Sequence, residues 1–170
     1  MKKMLVTGGC GFIGSNFIRH ILNVDSSFKI INLDKLTYAG NEFNLLGLPE
    51  DRHKLIIGDI CDSNLLDRLF FEYKFDVVVH FAAESHVDRS IDGPMNFIQT
   101  NIVGTLCILE SARKFTQNSK NKYFRFIHIS TDEVYGTLGK TGKFTEKTSY
   151  DPSSPYSASK ASSDHIVRAW

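Results

Sequence analysis

Short, continuous apolar runs alternate with longer amphipathic stretches along the 170 residues of the chain. The apolar runs predict five strands, over residues 4–7, 29–33, 55–57, 76–81 and 125–130. The amphipathic stretches predict helices over 12–24, 64–73 and 94–115, and a last helix that starts at Pro155 with Ser154 as its N-cap. Continuous apolar runs are typical of strands covered on both faces, and strand–helix alternation favours parallel order. The pattern therefore predicts a doubly wound parallel α/β sheet.

Two polar segments interrupt this alternation, and the end of the chain departs from it. Residues 116–123 are predicted to form a loop, and residues 136–153, rich in Gly, Thr, Lys and Ser, a long surface loop near a site. The helical pattern after residue 158 continues to Trp170 without a glycine or another stop signal. We therefore expect a sheet that is incomplete at its C-terminal edge.

Composition narrows the function classes without changing the fold prediction. Lys plus Arg number 20 and Asp plus Glu 19, so the net charge of +1 gives no general attraction to nucleic acid or to an anionic membrane. Cys10, Cys61 and Cys107 are far apart, which favours a reducing compartment over a disulfide framework. The apolar runs are too short for a signal sequence or a membrane span. We expect a soluble cytoplasmic protein.

A glycine-rich turn joins the first predicted strand to the first predicted helix. Residues 8–14 read Gly-Gly-Cys-Gly-Phe-Ile-Gly, with glycine where a tight turn and the close approach of a pyrophosphate need it. Asp34 follows 20 residues beyond Gly14, at the end of the second strand, where a carboxylate accepts ribose hydroxyls and repels a 2′-phosphate. The pattern predicts NAD rather than NADP. The alternative is a plain glycine turn with an aspartate that caps a second turn.

Residues next to this motif leave two further questions open. Lys35 lies beside Asp34, and its charge weakens the discrimination against NADP. Asp59 and Ile60 follow the third strand, where an adenine would lie in such a fold. Asp59 is equally well explained as the cap of the next helix.

Two groups in the second half of the chain carry candidate acid–base chemistry. Tyr156 and Lys160 are spaced i, i+4 on the last helix, so a nearby ammonium is expected to lower the pKa of the phenol and make it a usable base. Residues 130–133, Ser-Thr-Asp-Glu, follow the fifth strand at the edge where open α/β sheets bind ligands. Taken alone, Tyr156 and Lys160 are interpreted as a solvent-exposed pair. Residues 130–133, taken alone, are interpreted as a polar segment where the strand passes into a loop.

The segment after the fourth strand, residues 81–90, adds small and polar side chains. Ala82 and Ala83 leave room for a flat cofactor against the backbone. His86 has no second ligand at metal-binding spacing, so no metal site is expected, and His80 and His128 are interpreted as packing or hydrogen-bonding groups. Asn101 is either a buried polar support or a helix-surface residue.

These motifs together resemble the extended short-chain dehydrogenase/reductase family and, within it, the sugar-nucleotide 4,6-dehydratases. The resemblance rests on residues 8–14, 34–41, 82–90, 130–136 and 154–161, and it covers essentially the whole chain. It implies a Rossmann domain over residues 1–170 that binds NAD, and an NAD-dependent hydro-lyase activity on a nucleotide sugar such as dTDP-glucose. Family members are about twice this length, so we expect an NAD-binding part without the substrate domain.

The resemblance also implies a role for each candidate residue. Tyr156 takes the proton of the sugar 4-hydroxyl, Thr131 holds that hydroxyl, and Lys160 lowers the pKa of the tyrosine. Glu133 removes the proton at C5, and Asp132 protonates the departing 6-hydroxyl. The implied cofactor residues are Gly8, Gly11, Phe12, Ile13, Gly14, Asp34, Lys35, Leu36, Thr37, Asp59, Ile60, Phe81, Ala82, Ala83, Glu84, Ser85, Thr100, Tyr156 and Lys160. Ser85 and Thr131 are the implied substrate contacts.

Two alternatives to this activity stay open. The chain could be an NAD-binding module without turnover, or an NAD-dependent nucleotide-sugar epimerase of the same fold. As in relatives, the helix over 94–115 and the last helix are expected to pack against a second copy.

Overall fold

The structure, a computed structural model, describes residues 1–119 and 123–170. Five parallel strands form one sheet in the order β3-β2-β1-β4-β5. Their bounds are Lys2–Thr7 (β1), Phe28–Asp34 (β2), His53–Ile57 (β3), Val77–His80 (β4) and Arg125–His128 (β5). The doubly wound parallel sheet is confirmed. Its central strands end together, because Thr7 is paired with Leu33 on one side and with His80 on the other.

Six α-helices connect or follow these strands in the described residues. They are Phe12–Val24 (α1), Ser63–Tyr73 (α2), Val87–Asp92 (α3), Pro94–Phe97 (α4), Thr105–Asn118 (α5) and Pro155–Ala169 (α6). Two single 3₁₀ turns occupy Glu42–Leu45 and Asp132–Tyr135. The predicted N-cap of α6 is confirmed, since the Ser154 hydroxyl accepts the Ser157 amide at 3.0 Å. No helix of the described residues is long and apolar enough to cross a membrane.

The helix predicted over 94–115 differs from the structure in three ways. A π-helical segment, Ile98–Gly104, separates α4 from α5, and α3 precedes them where no helix was predicted. The helix also runs on to Asn118, because polar side chains at its end bond back to it. Thr116 donates to the Arg113 carbonyl and Asn118 to the Lys114 carbonyl. The loop predicted over 116–123 is therefore wrong for 116–118, and residues 120–122 lie outside the described residues.

The chain divides into two compact units. The sheet unit comprises Met1–Ala82 and Cys107–Ile129, and the helical unit comprises Ala83–Leu106 and Ser130–Trp170. In the sheet unit, both faces of the sheet are covered. Residues such as Leu5, Ile31 and Val78 pack with Leu66 and Phe70 of α2 on one face. Met4, Val6 and Val79 pack with Ile18 and Leu22 of α1 on the other. This two-sided burial explains why the strands are continuously apolar.

The helical unit is built around α6, which packs against α3, α4, the π-helical segment and the second 3₁₀ turn. Its buried apolar side chains are few: Phe97, Val134 and Ala161. Its buried polar side chains are more numerous: Ser90, Asn101, Thr105, Ser157, Ser159, Lys160, Ser163 and Asp164. Buried polar groups must find hydrogen-bond partners, so this unit depends on side-chain hydrogen bonds more than on apolar packing.

Candidate active site

The glycine turn between β1 and α1 has the close backbone packing that its sequence predicts. Gly8 has φ +72°, and a Cβ there would lie 2.6 Å from the amide nitrogen of Ala82. A Cβ on Gly14 would overlap the carbonyl oxygen of Gly8. No residue with a side chain fits these two positions without a shift of the backbone, so glycine is required by space as well as by conformation.

In the part of the chain that the structure describes, no side chain caps the start of α1. Gly11 is the N-cap residue and has no side chain to bond the first amides of the helix. The next two residues, Phe12 and Ile13, are 83% and 61% exposed. Uncapped amides at the positive end of a helix dipole are suited to bind an anion such as a pyrophosphate.

Asp34 is held rigidly at the end of β2. Its Oδ2 accepts the Cys10 amide at 2.8 Å, and its Oδ1 accepts the Leu36 amide at 2.8 Å. The residue is 8% exposed. A carboxylate oxygen has two lone pairs, so each oxygen can still accept one more hydrogen bond. Asp34 therefore links the glycine turn to β2 and still has acceptor capacity for two hydroxyl groups.

Lys35 and Asp59 form an ion pair beside Asp34, with Nζ 2.7 Å from Oδ2. Burial alone would raise the pKa of Asp59, but the hydrogen bonds from Lys35 and the Cys61 amide, together with the charge of Lys35, lower it below its usual value. The cap of α2 is Asp62, whose side chain accepts the Leu65 amide. The capping interpretation of Asp59 is therefore wrong.

The other predicted cofactor residues of the sheet unit range from buried to exposed. Ile60 is 4% exposed and packs in the core beneath α2, so its side chain has little surface to offer a ligand. Phe81 is half-buried, with its ring 5.2 Å from that of Phe17. Leu36 and Ala82 also pack partly against the core, while Thr37 is exposed.

His80 and His128 of the sheet unit make packing and hydrogen-bonding contacts. Thr7 Oγ1 lies 2.6 Å from Nδ1 of the buried His80, and the His80 and His128 rings are 5.2 Å apart. The packing and hydrogen-bonding interpretation of His80 is confirmed. Within residues 1–119 and 123–170, no group of three or more His, Cys, Asp or Glu side chains could hold a metal ion.

In the helical unit, Asn101 is the buried polar support that the sequence left undecided. It is 1% exposed and lies in the π-helical segment. Its Oδ1 accepts the Glu84 amide at 2.8 Å, and its Nδ2 donates to the Glu84 carbonyl at 2.9 Å and to Ser159 Oγ at 2.8 Å. One side chain thus ties the segment of Ala83, Glu84 and the exposed Ser85 to α6. Thr100, also half-buried, precedes it in the same π-helical segment.

Tyr156 and Lys160 lie one turn apart near the start of α6, as predicted. The Phe97 and Tyr156 rings meet edge to face with their centroids 6.3 Å apart, and the Thr131 side chain acts on the Tyr156 phenol closely enough to lower its pKa. Lys160 is only 4% exposed. The phenol therefore lies beside an aromatic ring and beside the Thr131 side chain.

Thr131, Asp132 and Glu133 form the start of the second 3₁₀ turn. Thr131 is the N-cap residue, and its Oγ1 accepts the Glu133 amide at 3.3 Å. The two carboxylates that follow are exposed. The helical unit thus brings together a hydroxyl, two accessible carboxylates, a phenol and a buried ammonium.

The pKa of Tyr156 departs from its usual value in the direction opposite to the predicted one. Burial raises it, and the charges of Glu133 and Asp132 raise it further, while the hydrogen bond from Thr131 lowers it. Lys160 is itself affected by burial, which lowers its pKa to about 8 against the opposing effect of Asp164. In the ligand-free chain the Tyr156 phenol therefore keeps its proton, and the Lys160 ammonium loses its proton more readily than an ordinary lysine.

Two residues of this cluster were missed from the sequence. The Asp164 carboxylate accepts hydrogen bonds from the Ser130 and Tyr150 hydroxyls. The available signal was the spacing of Asp164, four residues after Lys160, which places a carboxylate on the same helix face. Tyr150 lies in the long loop of residues 136–153 and had no pattern to mark it.

Comparison with known proteins gives one family for nearly the whole chain. The family described as GDP-mannose 4,6 dehydratase matches residues 5–170. The dTDP-glucose 4,6-dehydratase of Xanthomonas campestris pv. campestris is 56% identical over 174 residues, which cover 100% of this chain and 49% of that protein. The chain thus spans about half the length of the curated relatives that it matches.

Solved structures support the same grouping. The dTDP-glucose 4,6-dehydratase of Bacillus anthracis in complex with NAD has a TM-score of 0.86 and 43% identity, covering 99% of this chain and 50% of that one. The UDP-glucose 4-epimerase of Thermus thermophilus in complex with NAD has a TM-score of 0.85 but 29% identity, covering 98% of this chain and 50% of that one. The folds of the two enzymes match equally well, so only sequence separates them.

Proposed function

The chain belongs to the GDP-mannose 4,6-dehydratase family, and we propose that it carries the NAD-binding and acid–base residues of a dTDP-glucose 4,6-dehydratase. The observation that carries the proposal is the cluster of Thr131, Asp132 and Glu133 with Tyr156 and Lys160 in the helical unit. Two carboxylates beside one phenol are what an elimination of water needs in addition to an oxidation. The identity of 56% to a dehydratase, against 29% to an epimerase, favours the same activity.

The residues of the sheet unit fit a bound NAD. The glycine turn leaves no space for side chains at Gly8 and Gly14, and the uncapped start of α1 can hold the pyrophosphate. Asp34 has free acceptor capacity for the two hydroxyls of the adenosine ribose. Because Lys35 is paired with Asp59, part of its positive charge is compensated, which supports NAD over NADP.

Three residues have proposed roles in the oxidation at C4 of the sugar. Tyr156 accepts the proton of the 4-hydroxyl, and Thr131, whose side chain acts on the phenol, holds that hydroxyl in place. Lys160 would contribute positive charge at the ribose of a bound nicotinamide. Bound NAD would supply the redox chemistry, as acceptor and then donor of a hydride.

The two carboxylates have proposed roles in the elimination of water. A keto group at C4 makes the C5 proton acidic enough for Glu133 to remove as a general base. Asp132 in its protonated form gives a proton to the departing 6-hydroxyl, so that water leaves from C6. Both side chains are exposed in the helical unit and free to reach a substrate. When C6 is reduced, Glu133 returns its proton to C5, which gives the 4-keto-6-deoxy sugar nucleotide.

The substrate is proposed to be dTDP-glucose, and Ser85 an additional contact to the sugar. In the full-length relatives this cofactor-binding part is expected to pair as a homodimer, and the same assembly is proposed for this chain. An epimerase remains the second candidate, favoured by a TM-score of 0.85 to such an enzyme.

Incubation of the chain with NAD and dTDP-glucose tests the proposed function. Formation of the 4-keto-6-deoxy product, detected by its absorbance in alkali, supports it. Inversion at C4 without loss of water would identify an epimerase instead. Binding of NAD with no change in the sugar would show that the chain is an NAD-binding module without turnover.

A further inference from the structure

We propose that Asp164 is a positioning residue of this site: its carboxylate ties the segment that carries Thr131, Asp132 and Glu133 to α6, and it places a negative charge one helical turn from Lys160. The assignment of catalytic consequences to Asp164 rests on the proposed function, but its contacts do not.

The Asp164 carboxylate is buried within α6. Asp164 is 7% exposed and lies five residues before Ala169, the last residue of α6, so it does not cap the helix. Its Oδ2 accepts the Ser130 hydroxyl at 2.6 Å and the Tyr150 hydroxyl at 2.9 Å. Burial of a carboxylate is costly unless it is hydrogen-bonded, so these two hydroxyl groups stabilise its position.

The two hydroxyls belong to residues on either side of the second 3₁₀ turn. Ser130 immediately precedes Thr131, the residue whose side chain lowers the pKa of the Tyr156 phenol. Tyr150 closes the long loop, and its ring lies 5.4 Å from that of Tyr135 at the end of the 3₁₀ turn. Asp164 therefore holds the 3₁₀ turn at both ends, through Ser130 before it and through Tyr150 beside its last residue.

Asp164 also places its negative charge next to Lys160. The two residues are four apart on α6, and Lys160 is 4% exposed. Burial lowers the pKa of Lys160 to about 8, and the negative charge of Asp164 is the influence that opposes this decrease. Without that charge the ammonium would lose part of its protonation near neutral pH, and with it the charge that the proposed oxidation needs.

The other charged and titratable groups near this cluster do not replace Asp164. Arg168 and His165 lie further along α6, and the His165 ring contacts Tyr150 at 5.4 Å. Burial and then the hydrogen bond to Asp164 raise the pKa of Tyr150 to about 12, so this phenol stays a donor throughout the neutral range. Asp132 and Glu133, on the 3₁₀ turn, act on Tyr156.

The test of the charge uses the ligand-free chain and therefore does not depend on turnover. Isotope-labelled lysine, with Lys160 assigned from a Lys160→Arg variant, gives the pKa of this side chain by NMR. In Asp164→Asn the pKa of Lys160 should fall by roughly one unit, the usual effect of one ionic neighbour. Asp164→Glu should restore most of it. Glu146→Gln, which removes one charge from the exposed loop, is the matched control and should leave it unchanged.

The test of the anchoring uses a second pair of substitutions, which also covers the case that Asp164→Asn fails to fold. Ser130→Ala with Tyr150→Phe removes both hydrogen bonds and keeps the carboxylate. The pKa of Tyr156, followed with labelled tyrosine, should rise, because Thr131 is no longer held against the phenol. An unchanged Lys160 pKa in Asp164→Asn, or an unchanged Tyr156 pKa in the double variant, overturns the proposal. A failure of the proposed function would instead show as absent NAD binding or product.

Discussion

The sheet unit and the helical unit are stabilised by different kinds of interaction. In the sheet unit, apolar side chains on both faces of five strands pack beneath three helices, and the few buried polar residues, such as Thr7 and Asn32, bond their neighbours. In the helical unit the buried residues are mainly polar and are joined by Asn101 and Asp164. The proposed scaffold for the cofactor therefore depends on apolar packing, whereas the candidate acid–base groups depend on individual hydrogen bonds.

The largest expected effect concerns the two exposed carboxylates of the helical unit. Asp132→Asn combined with Glu133→Gln should leave oxidation at C4 possible and prevent the loss of water. Formation of the keto product should fall by about 10²-fold to 10⁴-fold, the usual contribution of acid–base groups. Reduced cofactor should accumulate and can be followed by its absorbance. Product made at the rate of the Glu146→Gln control would contradict the roles assigned to these residues.

The next effect tests whether the sheet unit depends on space at the glycine turn. Gly8 and Gly47 have similar positive φ angles, +72° and +78°, but a Cβ meets Ala82 at Gly8 and nothing within 4 Å at Gly47. Gly47→Ala should therefore cost only the conformational strain, roughly 1–2 kcal/mol. Gly8→Ala should cost about 3 kcal/mol or more in urea unfolding and should also abolish NAD binding. Equal effects of the two substitutions would show that strain, not space, explains the glycine.

A third substitution tests the dependence of the helical unit on single polar side chains. Asn101→Ala leaves the Glu84 amide and carbonyl and the Ser159 hydroxyl without this partner. Unfolding free energy should decrease by roughly 2–4 kcal/mol, since each buried unpaired group costs about 1–3 kcal/mol. Hydrogen exchange at Glu84 should accelerate. Asn96→Ala, at an exposed position of α4, should change stability by less than about 0.5 kcal/mol. If both variants are equally stable, the polar network does not stabilise this unit.

The last effect, which appears only above neutral pH, is a pH dependence caused by Lys160. Its pKa is lowered from 10.5 to about 8 in the folded chain, so the folded state releases this proton more readily than the unfolded state. Between pH 8 and 10.5 the unfolded chain binds more protons, and the contribution of Lys160 to stability therefore rises with pH. Relative to Lys160→Met, the chain should gain up to about 3 kcal/mol between pH 7 and pH 10. A pH-independent difference between the two chains would show that Lys160 is not desolvated.

The sequence was a good guide where local signals and burial agree. The helix over 12–24 was predicted with the bounds that the structure has, because a glycine turn marks its start and an amphipathic pattern its extent. The final helix was marked by its cap, Ser154, and by Pro155 in its first turn. In contrast, the π-helical segment could not be predicted, since it accompanies a tertiary contact of Asn101 rather than a local preference.

For the site, the sequence grouped the candidate residues but did not give their electrostatics. Thr131 and Tyr156 were predicted to act together, and the helical unit brings them into contact. The pKa of Tyr156 was predicted in the wrong direction, because neither its burial nor the nearby charges of Asp132 and Glu133 can be read from the spacing of Tyr156 and Lys160. Asp164 was missed for the same reason: its partners, Ser130 and Tyr150, are distant in sequence and close only in the fold.

Calorimetric titration of the folded chain with oxidised NAD is the decisive measurement. We expect saturable binding of one NAD per chain, much weaker binding of NADP, and loss of binding in Gly8→Ala but not in Gly47→Ala. Folded chain that takes up no NAD would contradict it, because the acid–base residues of the helical unit would then have no oxidant to act with.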